Sequence, residues 1–179
     1  MEGALSEKLK KIVLMVLDVD GVLTDGKIII DDLGNESKHF HVRDGHGLKL
    51  LMRGGVDVAL LTGRTSEVVN HRARELGITT VRQGAKDKAE ELAEMLAEKH
   101  ISHDHVAYMG DDVVDVPAFR MVGFSVAVAD APDYVKTHAD YITEKEGGDG
   151  AVREICELIL KARGTWDMVT ERYGLRTEG

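Results

Sequence analysis

The chain has 179 residues, of which 43% are hydrophobic and 31% charged, and its formal net charge is −9. This composition predicts one soluble globular domain over 1–179, and the negative charge argues against a general nucleic-acid binder, which needs a surplus of Lys and Arg. The single cysteine cannot form an internal disulfide, and we find no signal peptide and no apolar run of transmembrane length. We therefore expect a cytoplasmic protein with no membrane or nucleic-acid partner.

The first predicted strand ends in two carboxylates. The apolar run 12–17 is typical of a buried parallel strand, and Asp18 and Asp20 follow it directly, before a turn that begins at Gly21. Residues two apart face the same side of a strand, so both acids can enter one pocket. They either cap the turn or share a divalent cation such as Mg²⁺, which would leave one Asp free to attack an electrophile and the other to move a proton.

A β-hairpin is predicted next, over about 26–42, where two extended segments flank a polar turn that contains Gly34. We call this segment the flap. Its apolar run 28–30 would be exposed if the flap stood alone. Since exposed apolar hairpins in soluble proteins usually have a partner, we expect the flap to pack against another subunit.

The rest of the chain alternates between predicted helices and strands. This alternation predicts an α/β fold with a doubly wound, mainly parallel sheet and right-handed crossovers. The polar segment 164–179 has no assignable pattern and is expected to be an irregular tail. The predicted strands are 56–61, 79–81, 106–109, 124–128 and 141–142. The first predicted helix follows Gly47 and has Leu48 and Leu51 on its apolar face. The others are one from Thr65 or Ser66 to Leu76, one from near Asp87, one with Pro117 in its first turn, one over 133–137, and one containing Val152 to Ile159.

Polar residues follow several of these strands and should meet, because the carboxyl ends of parallel strands lie at one edge of a sheet. We expect Asp18 and Asp111, with a backbone carbonyl, to hold magnesium, and Thr62 and Lys88 to hold a phosphoryl group. A cation and a lysine beside a carboxylate nucleophile are suited to phosphoryl transfer.

The motifs resemble those of haloacid dehalogenase superfamily phosphatases over essentially the whole chain. They are Asp18-Val19-Asp20-Gly21, Thr62-Gly63-Arg64, Lys88 and Gly110-Asp111-Asp112. The resemblance implies that Asp18 is the nucleophile, that Asp20 is the general acid and base, and that Thr62 and Lys88 are phosphate anchors. It places Asp18, Asp20 and Asp111 in the metal site, with Asp112 and Asp115 behind them.

Longer segments resemble the 3-deoxy-D-manno-octulosonate 8-phosphate phosphatases, a family of lipopolysaccharide sugar synthesis. The matching segments are 40–47, 110–112, 125–131 and 151–156. The resemblance implies magnesium-dependent removal of the phosphate from a small phosphorylated sugar acid. The substrate-binding residues it implies are His41, Arg43, Asp44, Gly45, Lys49, Arg64, Arg72 and Lys88. His41 stands where we expect Asn, and Lys49 where Arg is common.

The spacing of the motifs also fits a capless enzyme. The intervals between Asp20, Thr62 and Lys88 are too short to hold the cap domain that many relatives fold over their substrates. Capless members of this group are tetramers whose hairpins form a central interface. The resemblance therefore implies a homotetramer assembled through the flap.

Several interpretations stay open from the residues alone. Lys86 and Lys88 both lie beside a helix start, and only the resemblance selects Lys88. Arg64 and Arg72 are expected on one face of one helix, where they suit either an anionic substrate or a solvated stripe. The segment 147–150 suits either a loop before a helix or a part of a neighbouring site.

Two other functions compete with the hypothesis of an octulosonate 8-phosphate phosphatase. A phosphatase for nine-carbon sialic-type acid 9-phosphates would use identical chemistry with a different sugar pocket. A catalytically silent scaffold would assemble through the flap without turnover, although every motif position is filled.

Overall fold

The computed structural model describes residues 2–175 and contains eight strands within that range. The strands are β1 (Leu14–Leu17), β2 (Ile29–Ile30), β3 (Glu36–Ser37), β4 (Asp57–Leu61), β5 (Thr80–Arg82), β6 (Val106–Gly110), β7 (Phe124–Ala127) and β8 (Tyr141–Ile142). Six of them form a parallel sheet in the order β5-β4-β1-β6-β7-β8, and β2 pairs with β3 as a separate antiparallel hairpin. The predicted α/β fold is confirmed.

The helices lie between and after these strands. They are α1 (Glu2–Lys10), α2 (Val42–Arg53), α3 (Glu67–Leu76), α4 (Lys88–Lys99), α5 (Val116–Phe119), α6 (Asp133–Lys136), α7 (Ala151–Ala162) and α8 (Trp166–Thr170). Helix α2 packs against α3, α7 and α8, whereas α4 packs against α5. The sheet extends from β1 to one side through β4 and β5, and to the other side through β6, β7 and β8. Because crossovers between parallel strands are right-handed, the helices that connect the strands on the two sides lie on opposite faces of the sheet. Among the described helices, none has the length and apolarity to cross a membrane.

Strand β1 occupies the centre of the sheet because its four residues are apolar and fully buried. It pairs with β4 on one side and β6 on the other, so that Leu17 lies level with Leu60 and Met109. The ladder extends one residue further, where the Asp18 amide donates to the Met109 carbonyl at 3.0 Å. Asp18 is therefore held at the carboxyl edge of the sheet, where the strand order reverses and open α/β sheets bind ligands.

The structure corrects the predicted tail. Residues 164–175 are not irregular throughout, since α8 forms at Trp166–Thr170 and a 3₁₀ turn follows at Glu171–Tyr173; residues 176–179 lie outside the described range. The Trp166 ring contacts the cationic ends of Arg153 and Lys161, at 5.9 and 5.1 Å from its centroid. These contacts come from α7, so the local sequence pattern of the tail does not reveal them.

The flap is confirmed as a hairpin but is shorter than predicted, with two residues in each strand. Ile28 and Ile30 are 62% and 58% exposed. Glu36 and Lys38 instead reach the carboxyl edge of the main sheet. The flap thus carries an apolar surface and, separately, a charged one that contacts its own chain.

Two local predictions were wrong. Helix α2 begins at Val42 rather than after Gly47, which places Arg43, Asp44 and Gly45 in its first turn. A Cβ at Gly45 would collide with the guanidinium of Arg72, so a glycine inside this helix allows α2 and α3 to approach closely. Arg64 lies before the start of α3, and therefore shares no helix face with Arg72.

Asp44 holds the start of α7 from its position on α2. It is 1% exposed, and its carboxylate accepts hydrogen bonds from the Arg153 and Gly150 amides at 2.7 and 3.3 Å. Burial raises the pKa of this carboxyl, while the two amides oppose the rise. The structure therefore gives Asp44 a capping role, and its predicted contact with substrate stays a prediction.

Removing this cap should destabilise the fold. We expect Asp44→Ala to lower the free energy of unfolding by about 1–3 kcal/mol, because two partly buried backbone amides lose their acceptor. Asp44→Asn keeps an acceptor oxygen and should change stability much less. Chemical denaturation of both variants measures the difference, and equal losses would show that the hydrogen bonds are not what Asp44 contributes.

Candidate active site

A cavity of about 190 Å³ opens at the carboxyl edge of the sheet. It brings together residues that are far apart in sequence, as the strand order requires. Its lining residues are Asp18, Asp20, Thr62, Gly63, Arg64, Ala85, Lys86, Lys88 and Val114. All four predicted catalytic residues, Asp18, Asp20, Thr62 and Lys88, are therefore in one place.

Lys88 lies between two carboxylates at the base of this cavity. Its ammonium is 2.7 Å from Asp18 and 2.6 Å from Asp115, and the lysine is only 4% exposed. Burial lowers the pKa of Lys88, but the two carboxylates outweigh that effect and leave it raised. Lys88 takes this position because Asp87 caps α4, accepting from the Ala89 and Glu90 amides at 2.9 and 3.1 Å.

Asp115 is fully buried and already accepts four hydrogen bonds. One oxygen accepts from Lys88 and from the Tyr108 hydroxyl, at 2.6 and 2.7 Å. The other accepts from the backbone amides of Asp111 and Asp112, at 3.0 and 3.2 Å. Asp115 therefore orients Lys88 and the loop that follows β6, and its predicted place behind the metal site stays a prediction. Asp112 caps the next turn, accepting from the Val113 amide at 2.7 Å.

Oxygens suited to a divalent cation meet beside this network. One carboxylate oxygen from each of Asp18, Asp111 and Asp115 lies within 4.8 Å of the others. Because Asp115 is fully engaged by donors, Asp18 and Asp111 are the members with coordination to offer. The Asp20 carboxylate does not belong to this group and contacts Lys38.

The raised pKa values of Asp18 and Asp111 indicate that a cation would be favourable between them. Burial raises the pKa of Asp111 to about 8, with further contributions from the charges of Asp18 and Asp115. Burial also raises the pKa of Asp18 to about 6, although Lys88 opposes the rise. A hard divalent cation between these oxygens would offset their repulsion, so the donor set fits Mg²⁺.

Asp20 is held by the flap. The Lys38 ammonium makes a short hydrogen bond to its Oδ1. The Arg64 Nε lies 3.7 Å from its Oδ2, and the same guanidinium donates to Glu36 at 2.6 Å. Glu36 also accepts from the Ser66 hydroxyl. A charged network therefore joins the flap to the predicted general acid and base.

The predicted substrate-binding residues divide into separate groups. Arg64 and Lys88 line the catalytic cavity, whereas His41 and Arg43 line a second pocket of about 480 Å³ with Asp149. Arg72 lies over the Phe40 ring, 5.5 Å from its centroid, and pairs with Glu75. Gly45 contacts Arg72, and Lys49 lines neither of these two pockets. The cavity thus contains the reacting groups, and the contacts to the sugar stay predictions.

The segment 147–150 lies against the loop after β1. A Cβ at Gly147 would collide with the Gly21 carbonyl oxygen, and the Gly148 amide donates to the Val22 carbonyl at 2.9 Å. Only a residue without a side chain allows this approach. Within its own chain the segment therefore supports the loop that carries Asp20.

Comparison with known proteins agrees with this geometry. Residues 77–155 match the family model described as haloacid dehalogenase-like hydrolase. Over 160 residues the chain is 45% identical to the 3-deoxy-D-manno-octulosonate 8-phosphate phosphatase KdsC of Escherichia coli K12, covering 89% of this chain and 85% of that protein. The chain belongs to the family of 3-deoxy-D-manno-octulosonate 8-phosphate phosphatases. It is a haloacid dehalogenase-like phosphatase.

Solved structures of this phosphatase family share the fold. The Moraxella catarrhalis 3-deoxy-D-manno-octulosonate 8-phosphate phosphatase, solved with magnesium, phosphate and 3-deoxy-D-manno-octulosonate (KDO), is 43% identical, with a TM-score of 0.94 over 97% of this chain and 99% of that chain. The cobalt-bound Haemophilus influenzae phosphatase is also 43% identical, with a TM-score of 0.87 over 90% of this chain and 94% of that chain.

Sequence reasoning missed the part of this phosphatase that surrounds Asp20. Glu36, Lys38 and Ser66 were not predicted as site residues, because hairpin strands of two residues give almost no periodic signal. The available signal is that Glu36 and Lys38 are two apart and so share a face of an extended segment. Tyr108 was likewise read only as part of a buried strand, although its hydroxyl donates to Asp115 at 2.7 Å.

Proposed function

We propose that this enzyme hydrolyses 3-deoxy-D-manno-octulosonate 8-phosphate to the free sugar acid and phosphate through a covalent intermediate on Asp18. The observation that carries the proposal is the cavity that joins Asp18, Asp20, Thr62 and Lys88 in a chain of this phosphatase family. The named activity of the relatives supplies the substrate, and the cavity supplies the groups for the chemistry.

The first step transfers the phosphoryl group to Asp18. A carboxylate oxygen of Asp18 forms a bond to phosphorus while the bond from phosphorus to the sugar oxygen breaks, and its electron pair stays on that oxygen. Asp20 donates a proton to the departing oxygen. Lys88 and Thr62 bind the phosphoryl oxygens, so the increasing negative charge is met by an ammonium and a hydroxyl.

The second step releases phosphate. Asp20, now a carboxylate, takes a proton from a water molecule whose oxygen attacks phosphorus. The bond from phosphorus to Asp18 breaks and the Asp18 carboxylate re-forms. The two acids thus have separate duties, and Asp20 must face the cavity in both protonation states.

We assign magnesium to Asp18 and Asp111, with Asp20 contributing its backbone carbonyl because Lys38 already engages its carboxylate. When bound, Mg²⁺ supplies the positive charge that lets an anionic nucleophile approach an anionic phosphate.

Magnesium should also stabilise the protein in the absence of substrate. A cation that binds only the folded state raises the unfolding midpoint with concentration. We expect thermal unfolding to show such a rise for the wild type, and Asp111→Asn to lose most of it. Asp133→Asn removes a carboxylate that is 99% exposed and belongs neither to the cavity lining nor to the acidic cluster, so it should keep the full shift. An unchanged shift in Asp111→Asn would contradict the metal assignment.

The choice of sugar is tested by a panel of phosphorylated sugar acids. We expect kcat/KM, measured by phosphate release, to be highest for the eight-carbon 8-phosphate. The named activity of the relatives is the reason to expect the eight-carbon acid. Arg64 lines the cavity and Arg43 a second pocket, and both are cations that could meet a substrate carboxylate. A preference for a nine-carbon acid 9-phosphate would overturn the substrate while leaving the phosphatase chemistry in place.

We further propose a cytoplasmic homotetramer whose subunits meet through the flap. The support is the exposed apolar surface of the hairpin, which includes Ile28 and Ile30, together with Leu33 at 87% exposure. Apolar area of this kind favours burial at a subunit interface.

The assembly has its own test. Ile30→Glu places a charge on the apolar side of the flap and should convert the tetramer to smaller species. Lys27→Glu changes an exposed residue of the same hairpin, paired only with Asp25 among the described residues, and should leave the assembly intact. Sedimentation velocity distinguishes the outcomes, and a tetramer that survives Ile30→Glu would exclude the flap as the principal contact.

A further inference from the structure

We propose that Lys38 of the flap is a positioning residue for Asp20, holding that carboxylate in the orientation that protonates the leaving group. The inference rests on the proposed phosphatase function and adds a residue to its machinery. It begins from the contact between the Lys38 ammonium and Asp20 Oδ1.

Lys38 is buried in a way that is unusual for a lysine. Its side chain is 2% exposed, and burying an unpaired ammonium would be costly. The ammonium is compensated by Asp20 and, at 3.5 Å, by Glu36. The lysine is therefore fixed at Asp20 by the same contacts that make its burial tolerable.

Glu36 fixes the segment that carries this lysine. It accepts hydrogen bonds from the Arg64 guanidinium and the Ser66 hydroxyl, both of which belong to the segment between β4 and α3. Glu36 and Lys38 are two residues apart and therefore point to the same side of the extended chain. The flap thus docks on the core through Glu36 and delivers Lys38 to Asp20.

This contact engages one carboxylate oxygen of Asp20 and leaves the other for proton transfer. Among residues 2–175, Lys38 is the one hydrogen-bond donor to the Asp20 carboxylate, and it engages Oδ1. Oδ2 lies 3.7 Å from the Arg64 Nε, which is too far for a hydrogen bond. Asp20 lines the cavity. Holding Oδ1 restricts the rotation of the carboxyl group, so that Oδ2 is the oxygen left to exchange a proton with the leaving group and with water.

The test compares two aryl phosphates that differ in their need for a proton. 4-Nitrophenolate leaves readily without protonation, whereas phenolate is a poorer leaving group and depends more on a general acid. The value of kcat/KM reports the step that breaks the ester bond. A residue that positions the acid should therefore matter more for phenyl phosphate than for 4-nitrophenyl phosphate.

We expect Lys38→Met to lower kcat/KM at least about tenfold for phenyl phosphate and less than about threefold for 4-nitrophenyl phosphate. Lys38→Arg, which keeps a donor, should restore most of the loss. Lys27→Met removes the same charge from the exposed part of the flap and should leave both values unchanged. The ratio of the two esters does not depend on the fraction of folded enzyme, so partial unfolding of Lys38→Met does not affect the comparison.

Equal losses for the two esters, or no loss for either, would overturn this role for Lys38. Equal losses would indicate that Lys38 binds the phosphoryl group or stabilises the fold. The sugar specificity of the enzyme does not enter the comparison, so a wrong sugar assignment leaves the test intact. Phosphate release from 3-deoxy-D-manno-octulosonate 8-phosphate by the wild type tests the proposed function separately. Its absence would contradict that function, whereas equal losses for the two aryl esters in an active enzyme would overturn only the role of Lys38.

Discussion

Replacing Asp18 with Asn is expected to abolish turnover and to spare the fold. An amide cannot form the acyl phosphate, and loss of a nucleophile that acts within a catalytic unit typically costs about 10⁴–10⁶ in kcat. The fold should persist because Lys88 keeps its contact with Asp115 at 2.6 Å when Asp18 is neutral. Phosphate release and the thermal unfolding midpoint measure the two expectations separately.

Asp25→Asn is the matched control for this substitution. Asp25 lies in the same loop, but its carboxylate is exposed and pairs with Lys27. It should keep kcat within about twofold of the wild type, the range of an ordinary surface substitution. Substantial phosphatase activity in a folded Asp18→Asn variant would exclude the proposed intermediate.

Replacing Lys88 with Met is expected to reduce both activity and stability. The lysine is the cation that separates Asp18 from Asp115 in a buried site, and its removal leaves two carboxylates without a counter-charge. Removing one partner of a buried ion pair costs about 3–5 kcal/mol. Activity should also fall, because the ammonium no longer binds the phosphoryl oxygens.

Lys86→Met is the control for the stability effect. Lys86 is exposed and lies two residues earlier, so its loss should change the free energy of unfolding by less than about 0.5 kcal/mol. Urea denaturation in the absence of metal makes the comparison. Equal stability of the two variants would contradict the assignment of Lys88 as the buried cation.

The sequence could predict the centre of the site because parallel strands impose it. The apolar run before Asp18 identifies a buried strand, and every strand of the sheet ends at the same edge, so Thr62 and Asp111 had to approach it. The choice of Lys88 over Lys86 did not follow from pattern. Both lysines line the cavity, and the burial of Lys88 beside Asp18 supports the prediction, whereas Lys86 is exposed.

The surroundings of the site could not be predicted in the same way, because they depend on contacts between distant segments. Glu36 meets Ser66, and Asp44 caps a helix that begins at Ala151. Neither contact leaves a periodic signal in the sequence. The position of Arg64 was misjudged for a related reason, because the N-cap of α3 is Ser66 and the turn before it directs Arg64 to the flap.

The most direct test of the central claim is chemical trapping of the phosphoryl enzyme. The wild-type enzyme is mixed with substrate, quenched in acid within one turnover and treated with borohydride, which reduces an acyl phosphate to the alcohol. Peptide mass spectrometry should then find homoserine at position 18. Phosphate release with no modification at Asp18, or reduction at Asp20 in its place, would contradict the account.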